Sequence, residues 1–469
     1  MNIIIVGAGT VGVGLAEHLS NFNYHISVID QNQSLCEQIN SKLDVSAINA
    51  VGSDPAALEN AGIGSADMVI AVTPSDEINL LVCNIAMQNG VEKRIARVKS
   101  DLYTSGSPCI DINKVGVTHL IEPEREVVKK IMQYVELPGV IEAANFQSDS
   151  IYLRGYQITD DMPIANKTLI QIKSMAQSSP MLFVVITRAG KSIPPTGDQK
   201  LLPGDKVVVI TPKESFDVFR NSLINRKPAK LKKIVVSGDS LTAIHLADAL
   251  KPLCEQVILV DPDPEHGHMA ASMLNGVEVL NGDSTESDVL REINVGNADY
   301  FIAAGEDTED NIMSCLLAKT EGTGRVMAIR NDDRYSALFD SLGIDYIITP
   351  QQLTLNVIME KIQTVSIATY LKLKTSGIEV IRLRAVNKSQ VIGKSLRELD
   401  NVFKKSVIIG CIIRDNLAII PDGNTTIETN DEAIVLCGKD LIALVNKWFG
   451  PKLGMPFNLS SRLKSGNSE

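Results

Sequence analysis

The sequence predicts an α/β protein made of two doubly wound parallel sheets, each followed by a smaller α+β module. Three observations lead there. Short apolar runs alternate with helix-periodic segments, a glycine-rich turn follows the first apolar run, and most of the chain is written twice.

The repeat sets the architecture. "GIGSADMVIAVTPSDEINLLVC" is echoed by "NVGNADYFIAAGEDTEDNIMSC", which aligns Asp67 with Asp299, Asn79 with Asn311 and Cys83 with Cys315. "NIIIVGAG" and "KKIVVSGDS" bring Gly7 onto Gly238. "IPPTGDQKLLPGDKVVVI" and "IIPDGNTTIETNDEAIVL" bring Gly197 onto Gly423 and Asp205 onto Asp431. Each half therefore holds a large and a small domain, in keeping with about 150 residues per domain in a chain of 469. The boundaries expected are 1–137, 138–224, 232–366 and 367–450. The basic stretch "NRKPAKLKK" (225–233) reads as a linker and 451–469 as a flexible tail.

In the first half, strand-like runs fall at 3–6, 26–29, 45–50, 68–72, 95–98 and 118–121. Between them, "TVGVGLAEHL" places Val11, Leu15 and Leu19 on one helical face, and "INLLVCNIAM" does the same with Leu80, Cys83 and Met87. Strands apolar on both faces and joined through helices require a parallel sheet covered on both sides. The last helix of each large domain, "EREVVKKIMQYV" or "LTLNVIMEKIQTVSIATYL", carries a wide apolar stripe, as at Leu355, Ile358, Ile362 and Val365. It packs either on its own sheet or against another domain or subunit. In each small module a helix around "KTLIQI" or "KSLREL" precedes a hairpin with a polar turn ("TRAGKS", "IRDNLA"). A strand ("KVVVI", "EAIVL") and a closing helix ("FDVFRNSL", "LIALVNKWF") complete the unit.

The chemistry begins at "VGAGTVG", where Gly7, Gly9 and Gly12 form G-x-G-x-x-G between a strand and a helix, the context of a Rossmann-like dinucleotide turn. Gly7 permits the tight turn, Gly9 lets the backbone approach a diphosphate, and Gly12 lets helix and strand pack closely. Ala8, Thr10 and Val11 fill out the turn, the last two supplying first-turn amides for phosphate. Asp30, ending "HISVID", is placed to accept both ribose hydroxyls and to repel a 2′-phosphate, which favours NAD(H) or ATP/ADP over NADP. Thr73 and Pro74 end the fourth strand on the same sheet edge. Arg97 and Lys99 alternate on the fifth, either as a solvated strand end or as contacts to terminal phosphates. In the second half Gly238 and Asp261 persist, but Ser240 and Ala243 replace two glycines and Asp239 enters the turn, so nucleotide affinity there is weakened or lost.

A formal charge of −11 argues against non-specific nucleic-acid binding. No run reaches the ~18 to 20 apolar residues of a membrane span, and the start lacks a cleavable leader; a cytoplasmic location is expected. The seven cysteines are scattered and read as reduced core thiols. Of the six histidines, His18, His25, His119 and His245 fall on separate elements, and His266 and His268 in "DPDPEHGHM" read as surface residues of a loop. No G-x-S-x-G, Walker A or metal-ligand spacing occurs, and no acid or base is placed for hydride chemistry. The reading is a nucleotide sensor, with a duplicated NAD-dependent oxidoreductase as its rival.

"VGAGTVG" with Asp30, "AGIGSADMVIAVTPSDEINLLVC", "RIARVK" and "IPPTGDQKLLPGDKVVVI", taken in order and repeated, resemble the tandem RCK-domain regulatory subunits of Trk-type potassium uptake systems. The likeness covers Met1 to about Gly450. It implies two RCK N-domain and C-domain pairs and a cytoplasmic, peripheral subunit. Such a subunit assembles as a homo-oligomeric, tetrameric gating ring beneath a membrane potassium channel or transporter and answers NAD(H) and ATP/ADP. It also implies nucleotide contacts at Gly7, Ala8, Gly9, Thr10 and Val11, ribose on Asp30, and Thr73, Pro74 and Arg97 around the remainder. Lys99 stands where related sequences often carry arginine.

Overall fold

The computed structural model describes residues 1–20, 24–104, 110–137, 139–146, 150–176, 179–225, 230–332, 342–362, 368–373, 376–403 and 407–450, with backbone alone for 368–372 and 401–403. Cys109, Pro138, Val365, linker residues 226–229 and the expected tail lie outside them.

The first large domain alternates strands β1 (Asn2–Val6), β2 (His25–Asp30), β3 (Ser46–Asn49), β4 (Met68–Ala71), β5 (Lys93–Arg97) and β6 (His119–Ile121) with helices. These are α1 (Thr10–Ser20), α2 (Gln33–Lys42), α3 (Pro55–Asn60), α4 (Asp76–Gln88), α5 (Ile112–Val115) and α6 (Pro123–Val135). The sheet order is β3-β2-β1-β4-β5-β6, all parallel. Between β1 and β4 the winding reverses, which opens a crevice at the carboxyl edge. All four residues of β4 are buried because helices cover both faces, and that is why the sequence shows an unbroken apolar run there.

The first small module holds β7 (Val140–Phe146), β8 (Ile151–Gln157), α7 (Leu169–Met175), β9 (Leu182–Arg188), β10 (Lys191–Ile193), β11 (Lys206–Pro212) and α8 (Lys213–Val218). Its sheet order is β10-β9-β11-β8-β7. The closing helix continues as a π-helical turn over Phe219–Ile224.

The second large domain repeats the first. It contains β12 (Leu231–Ser237), α9 (Leu241–Leu250), β13 (Cys254–Asp261), α10 (Pro264–Met273), β14 (Glu278–Asn281), α11 (Ser287–Glu292), β15 (Tyr300–Ala303), α12 (Thr308–Thr320), β16 (Arg325–Ile329), β17 (Tyr346–Ile348) and α13 (Pro350–Lys361). The order is β14-β13-β12-β15-β16-β17. The end of the expected linker, from Leu231, is already strand, paired with β13. The second small module adds β18 (Ala368–Lys372), β19 (Glu379–Arg384), α14 (Leu396–Phe403), β20 (Val407–Arg414), β21 (Leu417–Ile419), β22 (Glu432–Cys437) and α15 (Ile442–Phe449), in the order β18-β19-β22-β20-β21. Two parallel Rossmann-like sheets and two antiparallel ones are thus the fold class read from the sequence.

Like domains associate with like. The chain forms two compact units, one of residues 1–143 with 226–361 and one of 144–225 with 362–469. In the second unit the two small sheets share one core, in which Val184, Val208 and Ile210 meet Val380, Cys411, Ile434 and Leu436. The aligned aspartates do the same job in each module. Asp205 is gripped by Arg188 (Nε to Oδ1 2.7 Å) and Asp431 by Arg414 (2.9 Å), and each also accepts an amide of its preceding turn, from Leu202 or Glu428.

In the first unit the striped helices settle the alternative left open by the sequence: they are exchanged between halves. α6 packs on α9 of the second half, α13 packs on α1 and β6 of the first, and α6 and α13 pack on each other. A Cβ on Gly14 of α1 would lie 3.3 Å from Leu355 of α13. The exchange is fastened by Tyr346, whose ring lies 4.5 Å from that of Tyr134 and whose hydroxyl donates to the Val140 carbonyl at 2.6 Å. His245 on α9 faces Asp101 across the same junction, Nε2 to Oδ2 2.8 Å. The cysteines described (Cys36, Cys83, Cys254, Cys315, Cys411, Cys437) are free and buried.

Candidate functional site

Where β1 turns into α1, Gly7 adopts φ +109°, and a Cβ there would lie 3.0 Å from the Thr73 amide nitrogen. The turn therefore rests directly on the end of β4. A Cβ on Gly12 would come within 1.8 Å of the Gly7 carbonyl oxygen, so only hydrogen fits where α1 crosses the strand end. Gly9 differs from both: it is exposed and its Cβ would meet nothing within 4 Å. Its backbone is open to close approach, and it has no side chain with which to cap the first amides of α1.

Asp30 closes the other wall. Its Oδ2 accepts the Ala8 amide at 2.6 Å and its Oδ1 the Asn32 amide at 2.8 Å, while the residue stays only half-buried. Across the crevice, Thr73 is held by the fully buried Asn79. Asn79 Oδ1 accepts the Thr73 amide (2.9 Å) and hydroxyl (2.7 Å), and its Nδ2 donates to the carbonyls of Thr73 (3.0 Å) and Arg97 (2.8 Å). One amide side chain thereby sets the spacing of the β4 and β5 ends. Asp76 does likewise for the next turn, accepting the amides of Lys99 and Ser100. Gly7, Ala8, Asp30 and Thr73 are thus brought together around one crevice, with Gly9, Thr10 and Pro74 exposed at its rim.

Val11, Arg97 and Lys99 fall in a different place, lining a cavity of about 250 Å³ between the two large domains. Several wall positions correspond between the halves (Val11 with Thr242, Arg97 with Ile329, Lys99 with Asn331, Glu124 with Gln351), while Ser240, Ala304, Gly305 and Glu306 of the second half line it without their first-half counterparts. Fold symmetry is retained and charge symmetry is broken, since the two basic groups belong to the first half alone. Three buried polar atoms at this cavity have no hydrogen-bond partner among the described residues: Arg97 Nε, Glu124 Oε2 and Gln351 Oε1. Such groups are costly unless a ligand or solvent satisfies them. Burial pulls the Arg97 guanidinium below its ordinary value, with Glu124 and Asp76 opposing.

Burial likewise pushes the Glu124 carboxyl up, against the helix amide and the charges of Lys99 and Arg97. The folded chain therefore holds that proton more tightly than the unfolded chain does. The stability it contributes is present below the ordinary value of 4.5 and is lost as pH rises through the raised folded value. Glu124→Gln, which copies Gln351, is accordingly expected to unfold at higher urea than the parent at pH 7. At pH 4 and below the two should unfold alike.

In the second half Gly238 also turns with positive φ, +136°, and packs more tightly, its Cβ placed 2.4 Å from the Gly305 nitrogen. Asp261 ends β13 as expected, but is fully buried. His266 and His268 lie on α10 rather than in a loop, because Asp263 caps that helix and Pro264 starts it. Glu124, Gln351 and Asp76 were not singled out in the sequence. Asn79 showed there only as a mark of the repeat, and Asn311 supplies its physical sense by bonding the Gly305 amide and the Gly305 and Ile329 carbonyls.

The TrkA-N domain family matches residues 3–123 and 234–350, and the TrkA-C domain family matches 153–224 and 380–450. The Trk system potassium uptake protein TrkA of Azorhizobium caulinodans is 28% identical over 455 residues, which cover 96% of this chain and 98% of that protein. Among solved structures, the GsuK RCK domain superposes with a TM-score of 0.58 at 17% identity, covering 96% of this chain and 94% of its own. The GsuK channel bound to NAD gives 0.59 at 16%, covering 96% and 78%. At these identities the two structures establish the fold.

Proposed function

Because the chain belongs to the family of tandem TrkA-N and TrkA-C domains, we propose that it is the nucleotide-sensing regulatory subunit of a potassium uptake system. It acts from the cytoplasmic face on a membrane-embedded potassium channel or transporter. The observation that carries this reading is an open glycine-turn crevice together with a cavity that Val11 of the same turn helps to line, where Arg97 Nε has no partner among the described residues at the junction of two exchanged helices.

Gly7, Ala8, Gly9, Thr10, Val11 and Gly12 cradle the diphosphate of NAD(H) or ATP/ADP, Asp30 holds the ribose, and Thr73 and Pro74 border the remainder. The ligand supplies negative charge and undergoes no reaction. Arg97 and Lys99 receive a terminal phosphate and are drawn from Glu124, which stands in the first turn of α6. From α6 the chain runs on to the first small module, and from α13 to the second. A 100-fold preference for one conformation supplies about 2.7 kcal/mol per site, and the sites of a tetrameric ring add.

NAD in the channel neighbour and the curated relative's potassium uptake support this assignment. No helix among the described residues is long and apolar enough to cross a membrane, which accords with a peripheral subunit. The test is affinity purification of the chain from membranes in mild detergent, where an integral potassium-transport protein is expected to co-purify. Turnover of NADH with a panel of hydroxy or amino acids would replace this reading with an oxidoreductase. Within the mechanism, Arg97→Ala is expected to narrow the ATP-over-ADP difference in potassium flux by roughly tenfold or more, the worth of a charge-assisted hydrogen bond. An unchanged ratio removes Arg97 from the sensor.

A further inference from the structure

The two crevices share a backbone and differ in what already fills them. In the first, the Asp30 carboxylate receives, among the described residues, backbone amides alone and keeps part of its surface open. Asp261, its counterpart, is 0% exposed. The Asp263 amide donates to its Oδ1 at 2.9 Å, and the imidazole Nδ1 of His266 lies 2.5 Å from its Oδ2. The first half has Leu35 at that position, a side chain that has no hydrogen bond to give. His266 thus occupies the carboxylate oxygen that the Ala8 amide engages in the first half, and it seals the carboxylate from ribose.

The phosphate end is closed independently. Ser240, standing where Gly9 does, accepts the Ala243 amide at 3.1 Å and donates to the Ala304 carbonyl at 2.5 Å. That hydroxyl uses the helix-start amide on which a diphosphate depends and ties the turn to the end of β15. Asp239 replaces Ala8 and adds its charge to those of Asp307, Asp283 and Glu309. Together with burial, these four carboxylates raise the Asp310 carboxyl. A polyphosphate entering the second turn would meet these carboxylates.

We propose that the second crevice is occupied by its own side chains, with His266 in place of ribose and Ser240 in place of diphosphate. Each chain then binds one adenosine nucleotide, in the first crevice. The inference rests on the nucleotide reading above and assigns His266 and Ser240 as the residues that decide which half responds.

The test is calorimetric titration of the full chain with NADH. The parent is expected to bind one equivalent per chain, and Asp30→Ala to lose that binding by tenfold or more. The triple variant Asp239→Ala, Ser240→Gly, His266→Leu carries the first-half residue at each position and is expected to take a second equivalent. Should it not fold by circular dichroism, the double variant Ser240→Gly, His266→Ala serves and carries the same expectation. Two equivalents in the parent, or undiminished binding in Asp30→Ala, overturn the proposal. So does a folded triple or double variant that still binds one. A parent that binds neither NADH nor ATP overturns the nucleotide reading itself, an outcome separate from the others.

Discussion

Asn79→Ala is expected to lower stability by about 4 kcal/mol and to abolish measurable NADH binding. Its side chain serves the Thr73 amide, hydroxyl and carbonyl and the Arg97 carbonyl from a position with no solvent access. Truncation strands these groups, at about 1–3 kcal/mol for each that stays unsatisfied. Once untied, the β4 and β5 ends no longer hold Thr73 against Gly7, and the crevice loses a wall. Asn311→Ala is the internal control. Asn311 holds Gly305 and Ile329 in the same manner, so urea denaturation should register a similar loss. NADH titration of that variant should match the parent. Equal loss of binding in both would mean that the two crevices do not act separately.

The second large effect separates two glycines three residues apart. Gly12→Ala is expected to cost about 3 kcal/mol, the upper end for overpacking, because its Cβ would lie 1.8 Å from a backbone oxygen that has no rotamer to escape into. The unfolding midpoint and NADH affinity fall together. Gly9→Ala should leave the midpoint unchanged, since its Cβ meets nothing within 4 Å. It should still weaken NADH by about 100-fold, because a methyl group stands where the diphosphate takes two charge-assisted hydrogen bonds from the turn. A Gly9→Ala protein that binds as the parent does would move the diphosphate out of this turn.

Why the large domains were legible is physical. A parallel strand covered on both faces must be apolar throughout, so the run read at 68–72 becomes β4 at Met68–Ala71, and the other five strands of that sheet likewise follow their apolar runs. The glycine turn is local: at Gly7 and Gly12 a Cβ would press on neighbouring backbone, as their spacing implies, and Gly9 is open. β7 and β8 escaped notice because buried charged residues interrupt them. Glu142 and Arg154 are 3% exposed inside strands that read as polar sequence. His266 reads as a loop residue for a related reason: composition gives a histidine beside acidic residues no address until a helix cap turns it onto Asp261.

The residues alone determined the repeat, the doubly wound sheets, the turn and the acidic residue that completes it, because each depends on neighbours close in the chain or on a period of burial. Tertiary structure alone decided which surfaces meet. An apolar stripe specifies that a helix must be covered and leaves open by what; only the folded chain sends α6 to α9 and α13 to α1. The same holds for charge. Arg97 and Glu124 are ordinary polar residues in the sequence, and burial at a cavity between two domains of one chain shifts both against their charged forms.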